Sequence, residues 1–192
     1  MKISIKKLEK NLGYKIKKNI YSLGVDTAST TGIAIVKVNT KIVDINTSII
    51  KIPSIPRKIK DQLEKAEKYE LAMNGLLNSI RNFTKNLRVP KKSILILEQS
   101  FLKNNPSTFG FLRCCQGIFY SELCDSFPII KIWFPTTVRK MVGFKSSLPR
   151  GTKSKDKKKE IMKFISNIIE EEITDDNIAD ALMLCFAVLK EK

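Results

Sequence analysis

Histidine is absent from this 192-residue chain. That removes imidazole general acid/base chemistry and every Ser–His or Cys–His nucleophile scheme. Cysteine is sparse: Cys114, Cys115, Cys124 and Cys185 form no CxxC pair. Without histidine or paired cysteines, a structural zinc site lacks its usual ligands. Reduced, buried thiols of a cytoplasmic protein are the expectation. No apolar run approaches the ~18–20 residues of a membrane span, and no secretory leader is legible. Acidic residues are also few, at 19 against 35 Lys and Arg, which leaves a net charge of +16. Such an excess points to a polyanionic partner, nucleic acid or an anionic membrane, and with no membrane-spanning run legible nucleic acid leads. Hydrolytic chemistry in this chain must come from carboxylates, lysines and hard metal ions.

What remains reads as one domain behind a basic extension. Residues 1–20 carry seven lysines and one glutamate. They read as a basic N-terminal arm, either a frayed extension or a phosphate-binding segment, ahead of a domain over 21–192. "YSLGVDT", "IAIVKV" and "KIVDINTSIIKI" are rich in β-branched residues with short connections, as in an antiparallel meander ended by Pro53 and Pro56. A polar amphipathic stretch over 57–88 predicts a long helix stopped by Pro90. "SILILEQS" predicts a strand buried on both faces. A helix from about Ser107 to Asp125, the strand "PIIKIWF" and a short helix in "PTTVRKM" follow. A lysine-rich loop then runs into a helix, and a last helix starts near Asp175 or Asp176. This order predicts an α/β fold: a mixed five-stranded sheet, three antiparallel strands then parallel ones, with helices on both faces.

Three acids sit where acids are costly. Asp26 ends the first strand of the meander and Glu98 ends the central strand. Asp180 precedes nine consecutive apolar residues, 181–189, on a helix apolar all round. An isolated ionised carboxylate in such surroundings costs several kcal/mol or shifts its pKa upward. Convergence on hard divalent cations removes that penalty at all three positions together. Individually, Asp26 also suits a turn residue for "DTAST", and Glu98 a partner for a lysine at the sheet edge. Asp176 and Asp175 suit a helix cap. Asp176 and Asn177 lie four and three residues before Asp180, on the same helical face.

"LGVDTASTTGIAI", "ILILEQSFLKNNPSTFGFLRCCQG" and "DNIADALML" resemble the RuvC-like Holliday junction resolvases of the ribonuclease H-like superfamily. The resemblance extends over residues 21–190. It implies adjacent strands carrying Asp26 and Glu98, with Asp180 brought against them by the last helix. It further implies two Mg²⁺ or Mn²⁺ ions and in-line attack of water on a phosphodiester, leaving a 5′-phosphate and a 3′-hydroxyl. The family's fourth metal ligand falls on Asn177, an amide where the family has Asp, Glu or His, with Asp176 beside it as a substitute. Lys140 and Lys155, or a neighbour of Lys155 in "GTKSKDKKKE", match charge-stabilising lysines. Phe101 matches an aromatic that stacks on bases. Lys103, Asn104 and Arg113 match a DNA-contacting loop and helix, and Lys145 and Lys153 belong to the phosphate-tracking loop. Relatives act as C2 homodimers on four-way DNA junctions, without a small-molecule cofactor, in a bacterial cytoplasm or an infected host cell.

Two other readings of the same residues are a nuclease for forks and flaps and a non-catalytic junction binder. Junction shape is read through phosphates and geometry rather than base code, so sequence leaves the substrate class open. A sugar-kinase or actin-like ATPase reading of "DTASTTG" requires a second lobe and a second glycine-rich phosphate motif, and the chain has neither.

Overall fold

A computed structural model describes residues 1–54, 57–61, 63–85, 87–100, 106–149 and 151–191. The strands are β1 (Lys2–Ser4), β2 (Ile20–Asp26), β3 (Thr30–Val38), β4 (Ile42–Lys51), β5 (Ser93–Glu98) and β6 (Ile129–Trp133). The helices are α1 (Ile5–Leu12), the single turn α2 (Arg57–Lys60), α3 (Lys65–Thr84), α4 (Pro106–Leu123), α5 (Pro135–Met141), α6 (Ser154–Ile169) and α7 (Asp176–Leu189). The sheet runs β1-β4-β3-β2-β5-β6. β2, β3 and β4 form an antiparallel meander, and β5 and β6 continue parallel to β2.

Period-2 alternation sorts the central strands between two cores. In β5, Ile94 and Ile96 face the layer that contains α1, α5, α6 and α7, while Leu95 and Leu97 face α3 and α4. Burial on both faces explains the unbroken "ILIL" run, and the expected helices on both faces are present. The buried helix is α7: Ala181 through Leu189 are each at most 5% exposed. Asp175 caps its N-terminus, accepting from the backbone N–H groups of Asn177 and Ile178. Among the described residues, no helix is long and apolar enough to cross a membrane.

The sheet has six strands rather than the expected five, and the extra one comes from the stretch read as a basic arm. β1 pairs antiparallel with β4 (Ile3 opposite Val43). Ser4 caps α1, and Gly13 closes it at a φ of 72°. Ile3, Ile5, Leu8, Leu12 and Ile16 are buried, the last four at roughly helical spacing between the lysines. Residues 14–17 then close the C-terminal end of α7. The Tyr14 hydroxyl donates to the carbonyl of Phe186, and the Lys17 N–H donates to that of Leu189. The lysines of this segment project outward from an apolar underside, as amphipathic packing requires.

Candidate metal centre and its surroundings

The C-terminal ends of parallel strands β2 and β5 lie side by side, with Val25 opposite Leu97. The next residue on each is an acid, Asp26 and Glu98. Alternation places both on the α7 face, two residues beyond Gly24 and Ile96 respectively. α7 lies unusually close to the sheet here because two glycines admit it. A Cβ on Gly24 would come 2.3 Å from the carbonyl oxygen of Ala181, and one on Gly32 would come 2.0 Å from that of Asn177. Gly32 pairs with Asp26 across β2 and β3. The first turns of α7 are thereby pressed onto the sheet beside Asp26, and Asp180 reaches the two strand-end acids. Carboxylate oxygens of Asp26, Glu98 and Asp180 all lie within 4.8 Å of one another, each side chain half-buried.

The backbone of Glu98 is held from two sides. Gln116 of α4, 3% exposed, donates from Nε2 to the Glu98 carbonyl at 3.2 Å, and the Thr27 hydroxyl donates to the same oxygen at 3.5 Å. Arg113 donates to Gln116 Oε1 at 2.8 Å. Arg113, which the resemblance places among DNA contacts, is exposed and also braces the residue that fixes Glu98.

Charge in this cluster is crowded. Burial, then the Glu98 and Asp180 charges, push the Asp26 carboxyl well above the ordinary carboxylate range. A side-chain hydrogen bond with Glu98 raises Asp26 further. Burial likewise raises Asp180, against the pull of Arg139 and Lys158. Arg139 on α5 lies 3.6 Å from Asp180, and its Nε is buried with no hydrogen-bond partner among the described residues. Lys158 on α6 is ion-paired with Asp176, which raises its pKa, and the charges of Asp180 and Asp26 raise it further. An all-oxygen donor set, crowded and under-neutralised, fits a hard divalent cation.

The remaining expected residues distribute as follows. Asp176 belongs to the Lys158 pair and lies outside the acidic cluster. The Asn177 side-chain amide donates to Asp175 Oδ1, an interaction of the helix cap. Lys140 and Lys155 are exposed, without an ion pair among the described residues; Lys140 and Lys145 line a cavity next to the cluster. Lys153 is exposed at the N-terminus of α6. Phe101, Lys103 and Asn104 lie outside the described residues. Arg139, next to Lys140, was not singled out from the sequence, and it is ion-paired with Asp180. Lys158 was one of several candidates in "KDKKK", and only the helical phase of α6 singles it out.

No protein-family model matches the chain, and no curated protein matches it significantly in sequence. Solved structures do. Superposed on T. thermophilus RuvC in complex with a Holliday junction substrate, the chain gives a TM-score of 0.56 over 88% of its own length and 98% of the other, at 14% identity. A second Thermus thermophilus RuvC structure gives 0.54, covering 87% and 92%, again at 14% identity. The fold is RuvC-like. Within this RuvC-like, ribonuclease H-type frame, β2 and β5 are the adjacent strands expected to carry Asp26 and Glu98.

Proposed function

We propose that this protein is a metal-dependent, structure-specific DNA endonuclease that resolves four-way junctions by paired symmetric nicks, leaving 5′-phosphates and 3′-hydroxyls. The observation that carries the reading is the convergence of Asp26, Glu98 and Asp180 within 4.8 Å at the C-terminal edge of a RuvC-like sheet. The strongly basic chain suits a polyanionic substrate. Asp26, Glu98 and Asp180 would hold Mg²⁺ or Mn²⁺. Bound there, a pair of such ions supplies a nucleophilic water at neutral pH and charge stabilisation on the phosphate. In our reading the protein's own part is positional and electrostatic. Gln116 and Thr27 fix the Glu98 backbone, and Gly24 and Gly32 fix the approach of Asp180. Lys158 and Arg139 place positive charge beside the point where the phosphate gains negative charge. Arg139 is suited to donate to a phosphate oxygen, because its Nε–H has no acceptor among the described residues. We therefore assign the charge-stabilising role to Lys158 and Arg139 ahead of Lys155 and Lys140. In our reading the ligand set is Asp26, Glu98 and Asp180; Lys158 engages Asp176, and the Asn177 Nδ2 donates to the helix cap, which leaves its amide oxygen as the candidate fourth donor.

Paired nicks require two centres related by a two-fold axis, and we infer a C2 homodimer. The test is cleavage of an end-labelled four-way junction in Mg²⁺, wild type beside Asp26→Asn. Symmetric paired nicks by the wild type, with binding but no cutting by the variant, are expected. Binding by both without cutting in Mg²⁺ or Mn²⁺ would make the protein a junction binder. Equal cutting of forks and flaps would make it a general debranching nuclease.

A further inference from the structure

Next to the acidic cluster, α5, the start of α6 and the loop between them enclose a cavity of about 460 Å³. Its walls include Phe144, Leu148 and Ile161, and its rim carries Lys140, Lys145 and Lys157. Arg139 lines it too, and its guanidinium lies 3.6 Å from Asp180. Among the described lining residues the one acid is Glu160, and its charge is tied off. Its carboxylate accepts from the Ser146 hydroxyl and from the N–H and hydroxyl of Ser147. Those bonds hold the loop as a wall and keep the carboxylate turned to its own serines.

We propose that this cavity is a nucleotide pocket that receives one unstacked base of the DNA strand lying across the acidic cluster. The proposal rests on the DNA-nuclease reading and extends it to how the strand is gripped. Apolar walls with a cationic rim select a ligand that is flat and apolar at one end and anionic at the other. Proximity to a phosphodiester-cleaving centre makes that ligand a nucleotide of the bound strand. The volume lies in the ~300–1,000 Å³ range of small-ligand sites, and a base still stacked in a duplex is flanked by its neighbours and cannot enter such a recess. The base must therefore leave its stack, which costs least where pairing is already interrupted, as at a junction crossover. Phe144 is braced edge-to-face on Phe164, with ring centroids 5.1 Å apart, and offers a fixed aromatic surface.

The pocket can be probed apart from junction specificity with a single-stranded oligothymidylate carrying one 5-iodouracil. Irradiation of the wild-type complex in EDTA should cross-link the peptide containing Phe144. Leu148→Trp, which fills the cavity from a half-buried position, should abolish that cross-link and weaken single-strand binding roughly tenfold, the scale of one lost base contact. Lys145→Ala, at an exposed position that leaves the fold intact, should weaken binding and reduce the cross-link. Cross-links confined to other peptides, or unchanged binding and cross-linking in both variants, would overturn the pocket. A gel-shift preference for a four-way junction over duplex is measured in parallel. Its absence beside a Phe144 cross-link would overturn the junction reading and leave the pocket standing. Its presence without that cross-link would do the reverse.

Discussion

Asp26→Asn should abolish cleavage and at the same time make the metal-free protein more stable. The three carboxylates lie within 4.8 Å of one another. Two unit charges at that separation repel by about 3.5 kcal/mol at an effective dielectric of 20. The full figure is not expressed, because Arg139 and Lys158 supply opposing charge. Removing one carboxylate should still stabilise the metal-free fold by about 1–3 kcal/mol, a rise in Tm of roughly 3–10 °C for a chain of this size. The sign with pH follows from the direction of the shift. The Asp26 carboxyl is raised in the folded state, so the native protein binds more protons than the unfolded chain between about pH 4 and that raised value. Stability is lost as pH rises through this window. The advantage of the variant should therefore be largest in mildly alkaline buffer and fade on acidification. Thermal melts in EDTA across that range measure it directly. Added Mg²⁺ should raise the wild-type Tm more than that of the variant, since only the wild type keeps the full ligand set. An asparagine variant no more stable than wild type in EDTA at neutral pH would refute the account of a crowded, cation-requiring cluster.

Lys158→Ala should lower junction cleavage by about 100-fold or more, the cost of losing one charge-stabilising group, with a much smaller loss of junction affinity. Lys155→Ala should change either quantity little; single-turnover rates beside gel-shift titrations check the ranking. Gly32→Ala drives a Cβ into the backbone of Asn177 and should cost about 1–3 kcal/mol or more in urea unfolding, with weakened Mn²⁺ affinity. Gly117→Ala, inside α4 with nothing within 4 Å, should instead stabilise by about 0.5–1 kcal/mol. Deleting residues 1–17 removes five buried apolar side chains, each worth about 1.5–3 kcal/mol, a sum comparable to the whole stability of a domain. The truncated chain should show no cooperative melt by circular dichroism, whereas loss of a solvated arm would leave one.

The three acids were legible because each breaks a burial pattern. Glu98 ends an apolar run, Asp26 ends a strand that enters a hydroxyl-rich turn, and Asp180 stands at the head of an all-apolar helix. Chemistry of that kind survives in one dimension, since burying a carboxylate is costly wherever the chain places it. The cations beside the cluster were harder. Arg139 and Lys140 are adjacent, and Lys155 to Lys159 is nearly all lysine, so composition cannot separate them. The starting phase of α5 and α6 does, and it depends on where each helix meets α7. The fourth-ligand position shows the same dependence. Asp175 takes the cap, which turns the Asn177 amide to its own helix end and leaves Asp176 to Lys158. The N-terminal segment was misjudged because seven lysines masked an apolar spacing. β1 has three residues, and its pairing with β4 joins positions some forty residues apart, a non-local gain invisible to local pattern.

By itself, the sequence determined the mixed α/β order of elements, and its charge balance, its lack of histidine and its misplaced acids narrowed the chemistry to carboxylates acting on a polyanionic partner. Local periodicity and the cost of buried charge are properties of short stretches and can be read there. Tertiary structure alone decided how those acids meet, which cations attend them and what the first twenty residues do. Those outcomes turn on the close approach of α7 at Gly24 and Gly32, on helix phase and on edge pairing, each of which depends on contacts between residues far apart in the chain.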